Sequence, residues 1–128
     1  MNVGIAVVEN DGAFLVGVRS EGGPLPGLSE FPGGKCRPDE DPVQCAVREC
    51  REETGLDVIA VRLLERRRHR YPHGAVDLHF WLCRPVHSRD ISADCQGFRW
   101  IPGGELSRLN FPEANASVIR MIADDVET

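Results

Sequence analysis

The 128-residue sequence has no surplus of positive charge: 15 Lys and Arg stand against 20 Asp and Glu, for a formal net charge of -5. A nucleic-acid polymer is therefore not the expected partner, because proteins that bind one carry a basic excess. A small phosphate ligand remains compatible, since a bound cation can supply positive charge locally. The five cysteines, Cys36, Cys45, Cys50, Cys83 and Cys95, include no C-x-x-C pair. Scattered and odd in number, they read as reduced thiols of a cytoplasmic protein, and their spacing argues against a structural zinc site. No apolar run approaches the length of a membrane span. The stretch Met1-Asn2-Val3-Gly4-Ile5 lacks the basic start and cleavage site of a secretory signal. Internal repeats and low-complexity linkers are also missing, so residues 1–128 are read as one domain.

What is present is ordinary for a globular chain: 41% apolar and 27% charged residues, at a length that supports a hydrophobic core. Residues 3–9 and 13–19 read as strands about the turn Asn10-Asp11-Gly12. Residues 20–29, rich in Gly and Pro, read as a loop. Asp41 as N-cap, Pro42 at the first helical position and Gln44 in a capping-box arrangement predict a helix to Thr54, ended by Gly55. Val43, Ala46, Val47 and Cys50 form its expected buried stripe. Residues 58–71 and 76–83 read as strands joined through Pro72-His73-Gly74, with Val76, Leu78, Phe80 and Leu82 alternating. A short strand over 97–101 and a last helix starting near Pro112, burying Ala114, Val118, Met121 and Ile122, complete the elements. The mixture lacks regular βαβ alternation and predicts a mixed sheet covered by helices, in the α/β or α+β class.

The helix after Asp41 carries the chemistry. Glu49, Glu52 and Glu53 fall at i, i+3 and i+4, so their carboxylates share a face. Such a cluster suits a hard cation such as Mg²⁺ together with phosphate oxygens. The spacing alone is met equally well by a solvated acidic face partly neutralised by Arg48 and Arg51.

Context separates the two readings. Gly34, five residues, Glu40, seven residues, Arg48-Glu49-Cys50, then Arg51, Glu52-Glu53, Thr54, Gly55 and Leu56 meet every fixed position of the 23-residue Nudix box. Cys50 stands where a larger aliphatic side chain is usual, a departure that touches packing and not chemistry. Glu30-Phe31-Pro32-Gly33-Gly34-Lys35 resembles the segment leading into the box in the MutT branch. His79-Phe80-Trp81-Leu82, Trp100 and Phe111-Pro112-Glu113-Ala114-Asn115 are similar to that branch in order and spacing.

The resemblance implies a Nudix fold, a mixed sheet sandwiched between helices, with Mg²⁺ or Mn²⁺ as cofactor. It implies that Glu49, Glu52, Glu53 and the carbonyl of Gly33 ligate the metal, and that Arg48 orients the glutamates. Glu40 would stabilise the loop before the helix. Asp94 matches a further loop acid, as metal ligand and general base, with Glu49 the alternative base. Arg19, Glu30, Phe31, Lys35 and Asn115 would line the substrate site, Asn115 reading a purine edge with its paired donor and acceptor. The implied reaction converts a nucleoside triphosphate into a monophosphate and diphosphate, with 8-oxo-dGTP the substrate this branch favours. Cleavage of CTP, related pyrimidine nucleotides or ADP-ribose uses the same box, and Pro72 does not discriminate among them. A non-catalytic nucleotide-sensing domain is the reading of another class, and retention of all three glutamates counts against it. The expected partner is thus a small nucleotide, with no nucleic-acid polymer, no membrane, and a monomer or homodimer as the assembly. Arg66-Arg67-Arg68-His69-Arg70 is read as an exposed strand face, Trp81 and Trp100 as packing, and Cys45 and Cys50 as small core residues.

Overall fold

The computed structural model describes residues 1–19, 27–87, 91 and 94–127, without the side chains of 126 and 127. Most of the expected glycine- and proline-rich loop, residues 20–26, lies outside the described residues.

Strands β1 (Asn2–Asn10) and β2 (Ala13–Val18) form a hairpin closed by Asp11 and Gly12, whose φ values of 50° and 82° fit the twist of a two-residue turn. Short strands β3 (Ser29–Glu30) and β4 (Gly33–Lys35) follow, then helix α1 (Pro42–Thr54). The long hairpin of β5 (Val58–Tyr71) and β6 (Gly74–Pro85) comes next. Strand β7 (Arg99–Pro102), two 3-10 turns over Gly103–Arg108 and Glu113–Asn115, and helix α2 (Ala116–Glu127) end the chain. The expected last helix thus starts four residues after Pro112, with a 3-10 turn in between.

Helix α1 has the bounds its end signals dictate. The Gln44 side chain accepts the Asp41 amide at 3.1 Å, and Gly55 takes the left-handed conformation, its amide returning to Arg51 O at 2.9 Å. Its buried side is Cys45, Ala46, Cys50 and Thr54, whereas Val43 and Val47 are only half-buried. The stripe is rotated toward Cys45 because α1 lies almost in contact with β1 at Gly4.

The seven strands run in the order β3-β2-β1-β6-β5, with β4 also pairing β1 and β7 pairing β2. The β1–β6 pair is parallel, from Asn2↔Asp77 to Val8↔Cys83, and the other pairs are antiparallel. Alternation along β1 and β2 divides the core into two layers. Val7, Phe14, Val16, Leu78 and Phe80 pack with Val118, Ile119 and Ile122 of α2. Ala6, Val8, Leu15 and Cys83 pack with Ala46 and Cys50 of α1. The sheet is therefore mixed and covered by one helix on each face. Complete burial of a side chain the size of Phe80 contributes roughly 2–3 kcal/mol. No described helix is long and apolar enough to cross a membrane.

Candidate active site

The last two turns of α1 present Arg48, Glu49, Glu52 and Glu53. The guanidinium of Arg48 forks onto Glu40, donating from Nε to Oε2 at 2.6 Å and from Nη2 to Oε1 at 2.8 Å. Nη1 of the same group donates to Glu49 Oε1 at 2.9 Å and to Glu52 Oε2 at 2.9 Å. One half-buried cation thus sets the positions of three carboxylates, a task for which a planar fork suits better than an ammonium. Hydrogen bonding from Arg48 holds the Glu40 carboxyl down at about 2, and the same bonds push the Arg48 guanidinium up. Glu40 also accepts the amide of Arg37 at 3.1 Å, which fixes the turn ahead of the helix.

Glu53 makes no bond to Arg48 and instead accepts the Gly33 amide through Oε1 at 3.0 Å. Burial pushes its carboxyl up to about 7, against the Gly33 hydrogen bond, and the negative charges of Glu30 and Glu49 add to the rise. Glu49 lies against the backbone of Gly34, where no Cβ intervenes. Two carboxylates of the helix, Glu49 and Glu53, therefore lie beside the glycines of β4, the second destabilised as an anion, and Arg48 ties Glu52 to Glu49. An all-oxygen donor set with excess negative charge fits a hard divalent cation such as Mg²⁺ or Mn²⁺.

These glycines help to line a cleft of about 420 Å³. Arg19, Glu30, Phe31, Gly33, Lys35 and Asn115, all singled out in the sequence, line it together. Arg19 Nη1 stands 3.8 Å from Glu30 Oε1. Burial raises the Glu30 carboxyl, and the charge of Arg19 counters that rise. Phe31 is both a wall of the cleft and a core residue: it is buried and its ring lies 4.9 Å from that of Phe111. Asn115 is buried at the foot of α2. The apolar part of the lining does not follow from the sequence: Val3, Ile5, Val76, Leu78 and Tyr71 belong to it, and Val3 pairs with Leu78 across β1 and β6. Their apolar alternation was visible in the sequence, but it marks a core face and a ligand cleft alike.

Asp94 lies on the loop before β7. Its side chain is exposed and accepts the Gln96 amide at 3.0 Å. Gln96 in turn lies beside Gly55, so the loop borders the C-terminal end of α1, and its residues 92 and 93 lie outside the described ones. The four arginines of the basic run are exposed as expected and His69 is half-buried, with Arg66 and Arg68 3.9 and 3.1 Å from Asp77. Trp100 and Trp81 pack against the α1-side core, the indole of Trp100 donating to Ile91 O at 3.0 Å. Cys45 and Cys50 are buried, and all five cysteines are free thiols. Scatter along the chain does not persist in space, however: Sγ of Cys36, Sγ of Cys45 and a carboxylate oxygen of Glu40 all lie within 4.8 Å of one another. Cys36 and Cys45 are thus close in space although their separation along the chain matches no ligand spacing.

Comparison with known proteins agrees with the geometry. Residues 1–122 match the family model described as the NUDIX domain. The chain is 32% identical over 117 residues to an 8-oxo-dGTP diphosphatase of Escherichia coli K12, covering 91% of this chain and 90% of the relative. It is 31% identical over 113 residues to a CTP pyrophosphohydrolase of the same organism, covering 88% and 82%. Its fold superposes on the solution structure of the Nudix protein MutT from methicillin-resistant Staphylococcus aureus 252 with a TM-score of 0.78 and 29% identity, covering 98% of this chain and 96% of that one. Family match, MutT-like relatives and the carboxylate-lined helix agree: the chain belongs to the Nudix family, hydrolases of phosphoanhydride bonds that depend on divalent metal.

Proposed function

We propose that this chain cleaves a nucleoside triphosphate to a nucleoside monophosphate and diphosphate, with an oxidised guanine nucleotide such as 8-oxo-dGTP as its preferred substrate. One observation carries the reading. Gly33 and Gly34, against which Glu53 and Glu49 lie, line the same cleft as the buried residue Asn115. A diphosphate placed at the glycines would direct its base toward the wall of Phe31 and Asn115.

Glu49, Glu52 and Glu53 would hold Mg²⁺, with the Gly33 carbonyl as a further oxygen donor. When bound, the ion neutralises the diphosphate and lowers the pKa of a coordinated water. Arg48 keeps Glu49 and Glu52 in place before substrate arrives. Arg19 and Lys35, both on the cleft, supply positive charge for phosphate oxygens, and Glu30 holds Arg19 toward it. A carboxylate takes the proton of the attacking water. Glu49 is better placed for this than Asp94, whose side chain is exposed and engaged with Gln96. Relatives named for 8-oxo-dGTP and for CTP both support a nucleoside triphosphate substrate, and the buried amide of Asn115 favours the purine. The smaller cytosine of CTP is the second reading.

Values of kcat/KM for 8-oxo-dGTP, dGTP, dCTP and ADP-ribose with Mg²⁺, with products resolved by chromatography, test the proposal. Preference for 8-oxo-dGTP with 8-oxo-dGMP and diphosphate as products supports it. Preference for dCTP or ADP-ribose removes the guanine assignment and leaves the family intact.

A further inference from the structure

The family chemistry accounts for Glu49, Glu52 and Glu53 but not for the two thiols beside Glu40. Cys36 follows β4 and its amide donates to Asn2 O at 2.9 Å, which ties it to the start of β1. Cys45 lies in the first turns of α1, fully buried, its thiol donating to Gly34 O at 3.2 Å. Glu40 is fixed between them in sequence by Arg48 and by the Arg37 amide. Three separately anchored segments thus bring two sulfurs and a carboxylate oxygen within 4.8 Å of one another. Cys36 is half-buried, so solvent and solute ions reach the group from its side.

We propose that Cys36, Cys45 and Glu40 form a second metal site, selective for a thiolate-accepting cation of the zinc class and distinct from the hard-cation site at Glu49, Glu52 and Glu53. Two sulfurs and one oxygen are the donors that Zn²⁺ takes in tetrahedral sites, with water in the fourth position. The same donors are a poor match for Mg²⁺, which demands oxygen ligands. Glu40 has capacity for the extra bond. A carboxylate offers about four acceptor positions, and the two bonds from Arg48 and the one from Arg37 fill three. Binding converts both thiols to thiolates and releases their two protons to solvent. The Cys45 hydrogen bond to Gly34 O is broken in the process.

The site is coupled to catalysis through Glu40. That carboxylate is the partner against which Arg48 sets Glu49 and Glu52, so drawing it toward a cation between the sulfurs displaces the fork. A zinc-class ion would therefore inhibit hydrolysis without entering the substrate cleft.

Titration of the reduced, metal-free protein with Co²⁺ tests the site directly, because thiolate coordination gives a sulfur-to-cobalt charge-transfer absorption that carboxylates do not. The expected result is one such equivalent, displaced stoichiometrically by Zn²⁺. C36S should weaken Co²⁺ and Zn²⁺ binding on the order of 100-fold and so remove the absorption at the Co²⁺ concentration that saturates the wild type, while Mg²⁺-dependent hydrolysis and the circular-dichroism spectrum stay as in the wild type. E49Q should keep the absorption. Loss of the absorption in E49Q, its survival in C36S, or its absence from the wild type overturns the proposal. C45S alters a buried residue, so the half-buried Cys36 variant carries the test.

Discussion

The carboxylate of Glu49 occupies the space where a side chain on Gly34 would begin: a Cβ there would sit 2.5 Å from both Cδ and Oε2 of Glu49. The contact joins the turn of β4 to the acidic helix face. It also accounts for glycine at this position, since any larger residue pushes out of position a carboxylate proposed to ligate the metal.

The expected outcome for G34A is a folded but disabled protein. The atoms in the way are the far end of a flexible side chain, so Glu49 moves and the backbone stays. Unfolding in urea should change by no more than about 1 kcal/mol, whereas kcat/KM falls on the order of 100-fold as the ligand geometry is lost. Gly4 is the control. A Cβ at position 4 would lie 2.5 Å from Pro42 O and 2.7 Å from the Ala46 nitrogen, both backbone atoms of α1. G4A should instead destabilise the fold by roughly 3 kcal/mol. Hydrolysis by G34A at the wild-type rate would refute the assigned role of Glu49.

Arg48 should not tolerate lysine. The fork makes two bonds to Glu40 and one each to Glu49 and Glu52 Oε2, and a single ammonium cannot reproduce that geometry. R48K is expected to raise the Mg²⁺ concentration giving half-maximal rate by about 10- to 100-fold. E40Q should shift it in the same direction, because it removes the charge that aligns the fork. An unchanged metal requirement in R48K would mean that the glutamates are positioned by other contacts.

The parts of this arrangement legible in the sequence are those set by neighbours along the chain. Asp41, Pro42, Gln44 and Gly55 fix both ends of α1, and alternation with a polar turn fixes the β5–β6 hairpin. The box placed Arg48 and the three glutamates on one helix face. Pairings between distant segments were not legible. Nothing local to Val3 or Leu78 shows that β1 lies parallel to β6, so the apolar wall of the cleft was missed. The rotation of the buried stripe toward Cys45 follows from the close approach of α1 to Gly4, a tertiary effect. The same approach brings Cys45 near Cys36, nine positions away and outside any recognised ligand spacing.

Glu53 makes the stability of the metal-free protein depend on pH. Its carboxyl rises from 4.5 to about 7 on folding, chiefly through burial, so the folded state prefers the protonated form. This contribution is complete below pH 4.5 and is lost as pH rises through about 7. The partial exposure of the group screens the effect, leaving on the order of 1 kcal/mol, or about 3 °C in Tm. In the presence of a chelator, the wild type should lose that much between pH 5 and 7.5 relative to E53Q, which cannot ionise. Added Mg²⁺ should restore the loss in the wild type at pH 7.5, since binding favours the folded anion. Parallel pH profiles for wild type and E53Q would show that the buried carboxyl does not titrate in this range.

Asn115 gives the sharpest test of base recognition. It is buried in the lining of the cleft, and among the described residues nothing hydrogen-bonds its side-chain amide. A carboxamide left free in that position can both donate to and accept from a purine edge, and such a paired contact discriminates bases by about 1–3 kcal/mol. N115A should therefore lower kcat/KM for 8-oxo-dGTP by roughly 10- to 100-fold while changing dCTP turnover little and leaving the Mg²⁺ requirement as it was. The split matters more than the size of the loss. A fall shared equally by both substrates would mean that Asn115 supports the start of α2 and not the base. A loss confined to dCTP would move the substrate assignment to the pyrimidines, because the amide would then be reading cytosine. Only a loss selective for the oxidised guanine ties the buried amide to the proposed substrate.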